Sequence, residues 1–408
     1  MNPTGHGEAI TTWLQPLRAV LDPGDRVDWT RLTALTTALD QALADHPVSS
    51  DLPAGAERSR RLRVIRHELG RRGHIDTTGE PAPFQVLAQF VCGYRDIDLR
   101  DTTGLGHGRL IAHYGSPQAQ QRWIPRLVAG ELAGIAVTEP HGGSRPAETR
   151  TRAVPGPAGM WLVTGCKTWI SRLTEAAVFV VFFRAPDGRL TAAAVDGTEP
   201  GLRRQSIPPA GLAGWTWGVL DLDAVPIRPE DVLQGHGMAL LRKHFASYRP
   251  LVTATALGGA AAIFDTVTAG LSARQASGDL PRLRDSALVT LGRAHAQLVT
   301  ALLGAVVAAH LADTGHYDAE LWGAAMKAHG IDTANSTAAE LALLLGAAGF
   351  RADCQTAKTR RDLNGLLYAD GIYDSLYRTA GKHHTTERDA AGEHTATRSK
   401  LMSVPMTA

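Results

Sequence analysis

This 408-residue chain has no cluster of cysteines, a formal net charge of only +2, and no charged-then-apolar signal pattern in its first twenty residues. Its three cysteines, Cys92, Cys166 and Cys354, form no CxxC or Cys/His spacing, which suits a reducing cytoplasm and no structural zinc. Lysine plus arginine (42) nearly balances aspartate plus glutamate (40), so no basic stripe for a nucleic acid is apparent. The apolar runs at about 251–264 and 298–312 are too short or too rich in threonine to span a bilayer. We therefore expect a cytoplasmic protein that binds neither nucleic acid nor membrane.

Hydrophobic periodicity divides the chain into three parts. In residues 1–133 apolar side chains recur at spacings of three and four, which indicates helices. In residues 134–235 short β-type runs such as AAVFVVFFRA are separated by Gly, Pro and Asp turns. Residues 236–408 return to a helical pattern, rich in alanine and leucine and ending in a polar tail. Because these last helices are apolar on several sides, they are typical of a bundle core or an oligomer interface.

Two short patterns of other protein classes are weak. GLGHGRL, from Gly104 to Leu110, has closely spaced glycines, but no predicted strand precedes it and the third glycine of GxGxxG is missing. We interpret it as a turn that begins a helix, not as a phosphate-binding loop. His383, His384 and His394 lie in a polar segment with a spacing that matches no known ligand set, so we predict solvated histidines and no metal site.

The opening of the β-region, GIAVTEPHGGSR followed by WLVTGCKTWIS, resembles the flavin-binding signature of the acyl-CoA dehydrogenase family. SPQAQQRWIPRLVAGEL before it, and ARQASG, LLLGAAGF and AKTRRDLNGLLYADG after it, follow in the family's order, so that the resemblance covers roughly residues 85–378. It implies an α+β fold with an N-terminal α-domain, a central β-barrel-like domain and a C-terminal four-helix bundle. It also implies bound FAD and a homodimer or homotetramer.

The resemblance assigns the contacts to the flavin ring residue by residue. It implies that Thr138 hydrogen-bonds the pyrimidine side of the flavin and that Ser144 contacts the cofactor's phosphate and the substrate. Trp169 would lie against the isoalloxazine ring, with Ser171 near its reactive N5. Fixed donors near N1 and O2 raise the electron affinity of a flavin, and an aromatic wall excludes water. Taken alone, Trp169 would instead be a core aromatic and Ser171 a turn hydroxyl.

Contacts to the AMP half of the cofactor depart further from the family pattern. Arg274 matches an arginine that reaches a pyrophosphate, and Gly346 and Gly349 match the C-terminal glycine turn; in the family these contacts often come from a neighbouring subunit. An aspartate, an aromatic residue, two glutamines, a glycine and a threonine of the family pattern are replaced by Arg145, Ser277, Asp285, Leu343, Ala347 and Ile372. These changes predict weaker binding of FAD or an altered adenine position.

Asp370, in YADGIY, stands where the resemblance places a catalytic glutamate, counting from Arg361-Asp362. That base removes a proton from the carbon α to a thioester carbonyl while hydride leaves the β-carbon for flavin N5. Aspartate is shorter than glutamate by one methylene, about 1.5 Å of reach. The substrate proton must therefore lie closer to the backbone that carries the base. The resemblance places Arg249 beside the base, where it would tune the pKa; the alternative is a structural helix cation. The alternative for Asp370 is a turn aspartate before Gly371.

Together these residues predict an FAD-dependent oxidoreductase that oxidises a small acyl thioester. The thioester would be carried by coenzyme A or by an acyl-carrier protein, in specialised metabolism, and the sequence leaves the electron acceptor open. A first alternative is a flavin oxidase or monooxygenase of the same fold acting on a non-thioester substrate, because relatives that oxidise nitroalkanes also use an aspartate as base. A second alternative is a flavin-free homologue with a binding or non-redox role.

Overall fold

The computed structural model describes residues 9–48, 55–77, 79–143 and 145–385. The α-helices are α1 (Arg18–Leu21), α2 (Trp29–Asp45), α3 (Ala56–Arg71), α4 (Ala82–Arg95), α5 (Arg109–Tyr114), α6 (Pro117–Val128), α7 (Gly237–Ala276), α8 (Asp285–Asp313), α9 (Ala319–Leu343) and α10 (Gln355–Leu366). The strands are β1 (Leu132–Ala136), β2 (Arg152–Pro155), β3 (Trp161–Ser171), β4 (Ala176–Arg184), β5 (Leu190–Asp196), β6 (Leu202–Ser206) and β7 (Trp217–Ile227). Residues 373–385 are also helical.

The central strands form one mixed sheet in the order β1-β4-β2-β3-β7-β6, with β5 paired to β4. β4 is apolar along most of its length and buried on both faces, which explains its continuous hydrophobic run. One face packs a core of the sheet's own, including Val163, Phe179, Val181 and Leu220. The carboxyl end of β3 pairs antiparallel with the start of β7, where Ser171 lies opposite Trp217.

The helical parts share a second core that runs from α4 into the C-terminal bundle. α4 and α7 cross closely because glycines meet backbone there: a Cβ on Gly93 would lie 2.0 Å from the carbonyl oxygen of Thr255, and one on Gly258 would lie 2.1 Å from that of Phe90. Such distances exclude any larger residue at the two glycines. The N-terminal helices are thereby fixed against the long bundle helix.

α7 and α8 each contain a window long and apolar enough to cross a membrane by length and composition, which the apolar runs of the sequence did not indicate. In α7, 72% of that window is buried inside the protein, and in α8 the share is 44%. α7 packs against α4, α8 and α9. A core helix of a bundle has these properties.

The predicted fold class is confirmed: N-terminal helices precede a central β-sheet domain, and α7 to α10 form the C-terminal helical bundle. The domain boundaries after residues 133 and 235 stay a prediction.

Candidate active site

Trp169 is an exposed aromatic residue held in an unusual backbone conformation. The pairing of β3 with β7 shifts register between Lys167 and Ile170, and this β-bulge contains Trp169. The φ of Trp169 is 59° and its side chain is 56% exposed. A positive φ is rare for a bulky residue and costs of order 1–3 kcal/mol, and such strain clusters at ligand sites. The structure therefore presents a large flat ring outward instead of burying it as a core aromatic.

A buried ion pair fixes the bulge to the segment that carries Thr138. The Nζ atom of Lys167, with no exposed surface, lies 2.8 Å from a carboxylate oxygen of Glu139 and donates to the carbonyl of Val137 at 3.1 Å. Glu139 also accepts two hydrogen bonds from Thr151, and these donors hold the pKa of its carboxyl at about 2 although burial opposes them. The carbonyl oxygen of the half-buried Thr138 accepts a hydrogen bond of 2.8 Å from the backbone N–H of Thr168, the residue before Trp169. Thr138 and Trp169 thus belong to one rigid unit.

Ser171, at the end of β3, is held in place by a hydrogen bond from Arg172. The Nη1 of Arg172 donates to the Ser171 hydroxyl at 2.8 Å, and its Nη2 binds the carboxylate of Asp101. Arg172 is 2% exposed, and the field of Asp101 raises its pKa although burial opposes this. Asp101 ends the 3-10 turn Ile97–Asp101 of the N-terminal region. The β3 end is therefore joined to the helical part of the chain by a buried charge pair.

Asp370 lies in a short loop after α10 whose backbone is fixed by two basic side chains. The Nε of Arg249 donates to the carbonyl of Asp370 at 3.2 Å. The Nζ of Lys327 donates to the carbonyls of Leu366 at 2.9 Å and of Gly371 at 2.6 Å. Asp370 has a φ of 57°, which aspartate tolerates better than most residues. It is thus both a turn aspartate before Gly371, as its simpler interpretation predicts, and the neighbour of Arg249.

Asp370 is half-buried, and its charge acts on several cations and a phenol. Burial lowers the pKa of Lys327 to about 7, against the opposing field of Asp370. Burial likewise lowers the pKa of Arg249, and here too Asp370 opposes the shift. Burial raises the pKa of Tyr248, and Asp101, against burial, raises that of Arg172; Asp370 adds a smaller contribution to each. Asp370 therefore interacts electrostatically with Arg172 after β3, Arg249 on α7 and Lys327 on α9.

A narrow cavity opens beside this group. Its walls come from α4, α7 and the segment between the 3-10 turn and α5, and they include Gln89, Arg100, Arg109 and Tyr248. Tyr248 lines the cavity and directly precedes Arg249, whose side chain donates to the Asp370 carbonyl. Arg100 places its guanidinium carbon 5.8 Å from the ring centroid of Trp217, which pairs with Ser171.

A buried charge network fixes the start of the segment that leads to Asp370. Asp96, Asp98 and Asp362 lie together, and Lys358 binds all three while Arg58 binds Asp96 and Asp98. The loop before β7 donates a backbone N–H to Asp362 at 2.7 Å. Burial and the neighbouring carboxylates raise the pKa of Asp362 to about 7, because three carboxylates share two cations. The network ties α10 to the N-terminal turn and to the β-domain.

The other predicted cofactor contacts lie elsewhere in the bundle or cannot be described. Arg274 is exposed in the last turn of α7. Gly346 opens the turn after α9 with a φ of 59°, and a Cβ on Gly349 would lie 2.6 Å from the carbonyl of Ala342, so both positions suit glycine. Ser144 lies outside the described residues.

Three site residues were missed by sequence reasoning: Arg100, Arg172 and Lys327. Lys327 carried a usable signal, because it is a single cation within the apolar helical run AAMKAHG. A single charged residue on a buried helix face usually has a polar partner elsewhere in the fold or a functional role. Arg172 follows directly after the TWIS segment that the resemblance singled out, yet its partner Asp101 is distant in sequence.

Comparison with protein families gives two consecutive matches. The family model for the acyl-CoA dehydrogenase middle domain matches residues 134–225, and the one for the acyl-CoA dehydrogenase C-terminal domain matches residues 235–384. The chain belongs to the acyl-CoA dehydrogenase family. Very long-chain specific acyl-CoA dehydrogenase, mitochondrial, of Rattus norvegicus is 26% identical to this family member over 332 residues, which cover 76% of this chain and 49% of the relative. The chain thus spans about half the length of the curated relatives it matches.

Solved structures of the acyl-CoA dehydrogenase family share the fold of this chain. Glutaryl-CoA dehydrogenase from Mycobacterium smegmatis, in complex with FADH2, superposes with a TM-score of 0.76 at 21% identity, covering 90% of this chain and 98% of the other. The prolyl acyl carrier protein oxidase AnaB gives a TM-score of 0.73 at 16% identity, covering 87% and 99%. The predicted family is confirmed.

Proposed function

We propose that this acyl-CoA dehydrogenase family member is an FAD-dependent oxidoreductase that oxidises a small acyl thioester. The observation that carries the proposal is that the strained, exposed Trp169 and the Asp370 loop are each held by a basic residue: Arg172 supports the Ser171 end of the Trp169 strand, and Arg249 binds the Asp370 backbone directly after Tyr248, which lines the cavity. An outward aromatic wall beside a carboxylate is the arrangement that proton abstraction next to a ring-shaped acceptor needs.

The residues at the β3 end fit the flavin ring of FAD. Trp169 would cover the isoalloxazine, Ser171 would donate near N5 and Thr138 would bind the pyrimidine edge. Bound FAD would supply the acceptor for the hydride that leaves the β-carbon. Trp169 would exclude water from the reacting atoms, and the Lys167–Glu139 pair would keep Thr138 and Trp169 in register.

Asp370 would accept the proton from the carbon α to the thioester carbonyl onto its carboxylate. Arg249 holds the Asp370 backbone, and Lys327 holds the two ends of the same loop. Because these three hydrogen bonds fix the loop, we propose that the substrate approaches the shorter aspartate instead of the loop moving toward the substrate.

The carrier, the assembly and the setting belong to the same proposal. The resemblance in fold to a prolyl acyl carrier protein oxidase supports an acyl-carrier protein as one carrier, with coenzyme A as the other. A homodimer or homotetramer is supported by Leu343 and Phe350, which are 80% and 93% exposed on either side of the glycine turn. The proposed setting is specialised metabolism in the cytoplasm.

The test is the absorption spectrum of the purified protein after incubation with FAD and removal of free cofactor. Retained flavin bands are expected, together with a rise in the melting temperature on adding FAD. A colourless protein that FAD does not stabilise would contradict the proposal and favour the flavin-free alternative. A flavoprotein that turns over with oxygen but shows no activity with a thioester and an electron acceptor would favour an oxidase or monooxygenase.

A further inference from the structure

Arg172 is buried in a strained backbone conformation directly after β3. It opens the turn at residues 172–175 that joins β3 to β4. Its φ is 58°, and only 2% of the residue is exposed. A positive φ is rare in a bulky residue, and burial of a charged side chain is unfavourable unless that side chain is paired. Two unfavourable features at one residue point to a specific role for its guanidinium group.

The guanidinium group of Arg172 is fixed on one side by a carboxylate. Its Nη2 binds Asp101, the last residue of the 3-10 turn before α5. Burial disfavours the Asp101 carboxylate, but the charges of three arginines, with Arg172 first among them, outweigh burial and lower the pKa of that carboxyl. Because guanidinium is planar and its donors lie at fixed angles, this bond also sets the direction of Nη1.

The Nη1 of Arg172 determines what the Ser171 hydroxyl can do. It donates to the Oγ of Ser171 at 2.8 Å. Arginine has no acceptor, so the serine oxygen must accept in this bond and the serine O–H must turn away from Arg172. The residues that the structure describes offer that O–H no acceptor. The Ser171 hydroxyl is therefore available as a donor to a bound group, and a cation polarises its oxygen.

Ser171 and Trp169 lie on the side of β3 that faces away from the core of the sheet. Ile170, between them, is 2% exposed and belongs to that core. Trp169 is largely exposed and Ser171 is half-buried. Since successive side chains of a strand point to opposite faces, the Ser171 hydroxyl lies on the face opposite Ile170. This is the face on which Trp169 would cover the flavin.

We propose that Arg172 is a positioning residue that directs the Ser171 O–H toward the flavin ring of bound FAD, near N5, and so makes the flavin easier to reduce. This inference rests on the proposed function, because it needs the flavin ring to lie against Trp169. A fixed and polarised donor stabilises the electron-rich reduced ring more than the oxidised ring. Arg172 would thus act on the flavin through Ser171.

The test measures the equilibrium constant for reduction of bound FAD against a two-electron reference dye, by anaerobic spectrophotometry of the FAD-loaded protein. Arg172→Met should lower that constant about tenfold, which is about 30 mV for a two-electron couple. Ser171→Ala should lower it to a similar extent. Adding Arg172→Met to Ser171→Ala should then change it by less than about twofold, because the donor is already gone. Arg172→Lys, which keeps a cationic donor, should recover part of the loss.

Arg204→Met is the matched control. Arg204 donates to the carbonyl of Leu173 at 2.9 Å, so it supports the same turn through the backbone and not through the Ser171 hydroxyl. The control should keep the reduction constant of the unaltered protein, whatever happens to its melting temperature.

An Arg172→Met protein with an unaltered reduction constant, or with an equally large loss in the Ser171→Ala background, would overturn the inference. So would a loss of the same size in Arg204→Met, since disturbance of the turn would then suffice. If Arg172→Met does not fold, Ser171→Ala decides, because it leaves the pair of Arg172 with Asp101 intact; an unchanged constant there would also overturn the inference. Absence of flavin from the unaltered protein would instead count against the proposed function, so the two failures are distinguishable.

Discussion

Replacing Glu139 by glutamine should destabilise the β-domain strongly, because it leaves the ammonium of Lys167 buried without its carboxylate. The two atoms lie 2.8 Å apart and neither side chain is more than 4% exposed. Breaking a buried pair in this way costs about 3–5 kcal/mol. With its oxygen kept toward Thr151 and Lys167, the amide of glutamine also turns a donor toward the backbone N–H of Arg150, which donates to the other oxygen of Glu139 at 2.8 Å. We expect the loss to lie at the upper part of that range.

The assay is urea unfolding of the FAD-free protein, followed by tryptophan fluorescence and by far-UV circular dichroism as separate probes, since several structural units can unfold separately. The double variant Glu139→Gln/Lys167→Met removes both charges, and it should recover at least half of the loss. Glu148→Gln, in an exposed pair with Arg145, is the control and should change stability by less than about 0.5 kcal/mol. A loss below about 1 kcal/mol for the single variant, or a double variant no more stable than it, would refute this reasoning.

Two further predictions concern Lys327 and Trp169. Lys327→Met should lower turnover about tenfold without changing the flavin spectrum, because the Asp370 loop loses two hydrogen bonds; an unaltered rate would remove Lys327 from the site. The folded-state pKa of Lys327, about 7, lies below its unfolded value of 10.5, so the unfolded chain binds more protons between these values and stability should rise with pH across that window. That rise, measured by urea unfolding at several pH values, should be smaller in Lys327→Met. Trp169→Gly should stabilise the FAD-free protein by about 0.5–1 kcal/mol through relief of the positive φ and should weaken FAD binding; unchanged FAD affinity in a titration would argue against a flavin wall.

The order of helices and strands was predictable because hydrophobic periodicity is a local property. The structure also brings Asp370 and Arg249 together, although they are far apart in sequence; only the resemblance to a family with that pair could indicate this. The roles of these residues stay predictions. Trp169 was singled out by the resemblance, but its positive φ depends on the register shift between β3 and β7, which no local pattern specifies.

Arg100 shows why the rest of the site could not be predicted. Its sequence context, IDLRDTTG, reads as a charged turn that would normally be solvated. Only the packing of α4, α7 and β7 around that turn buries the guanidinium and leaves its Nη1 without a hydrogen-bond partner among the described residues. Burial of a polar group is a property of the tertiary structure, so it cannot be derived from the types of its neighbours in sequence.

The central claim is that Asp370 takes a proton from a substrate held against a flavin on the Trp169 side of the cavity. The most direct measurement is anaerobic bleaching of the flavin absorption by an acyl thioester, in the FAD-loaded protein and in Asp370→Asn. Asp223→Asn, an exposed carboxylate on β7, is the control. We predict bleaching in the unaltered and control proteins and none in Asp370→Asn, with the same oxidised spectrum in all three. Equal bleaching in Asp370→Asn would contradict the account.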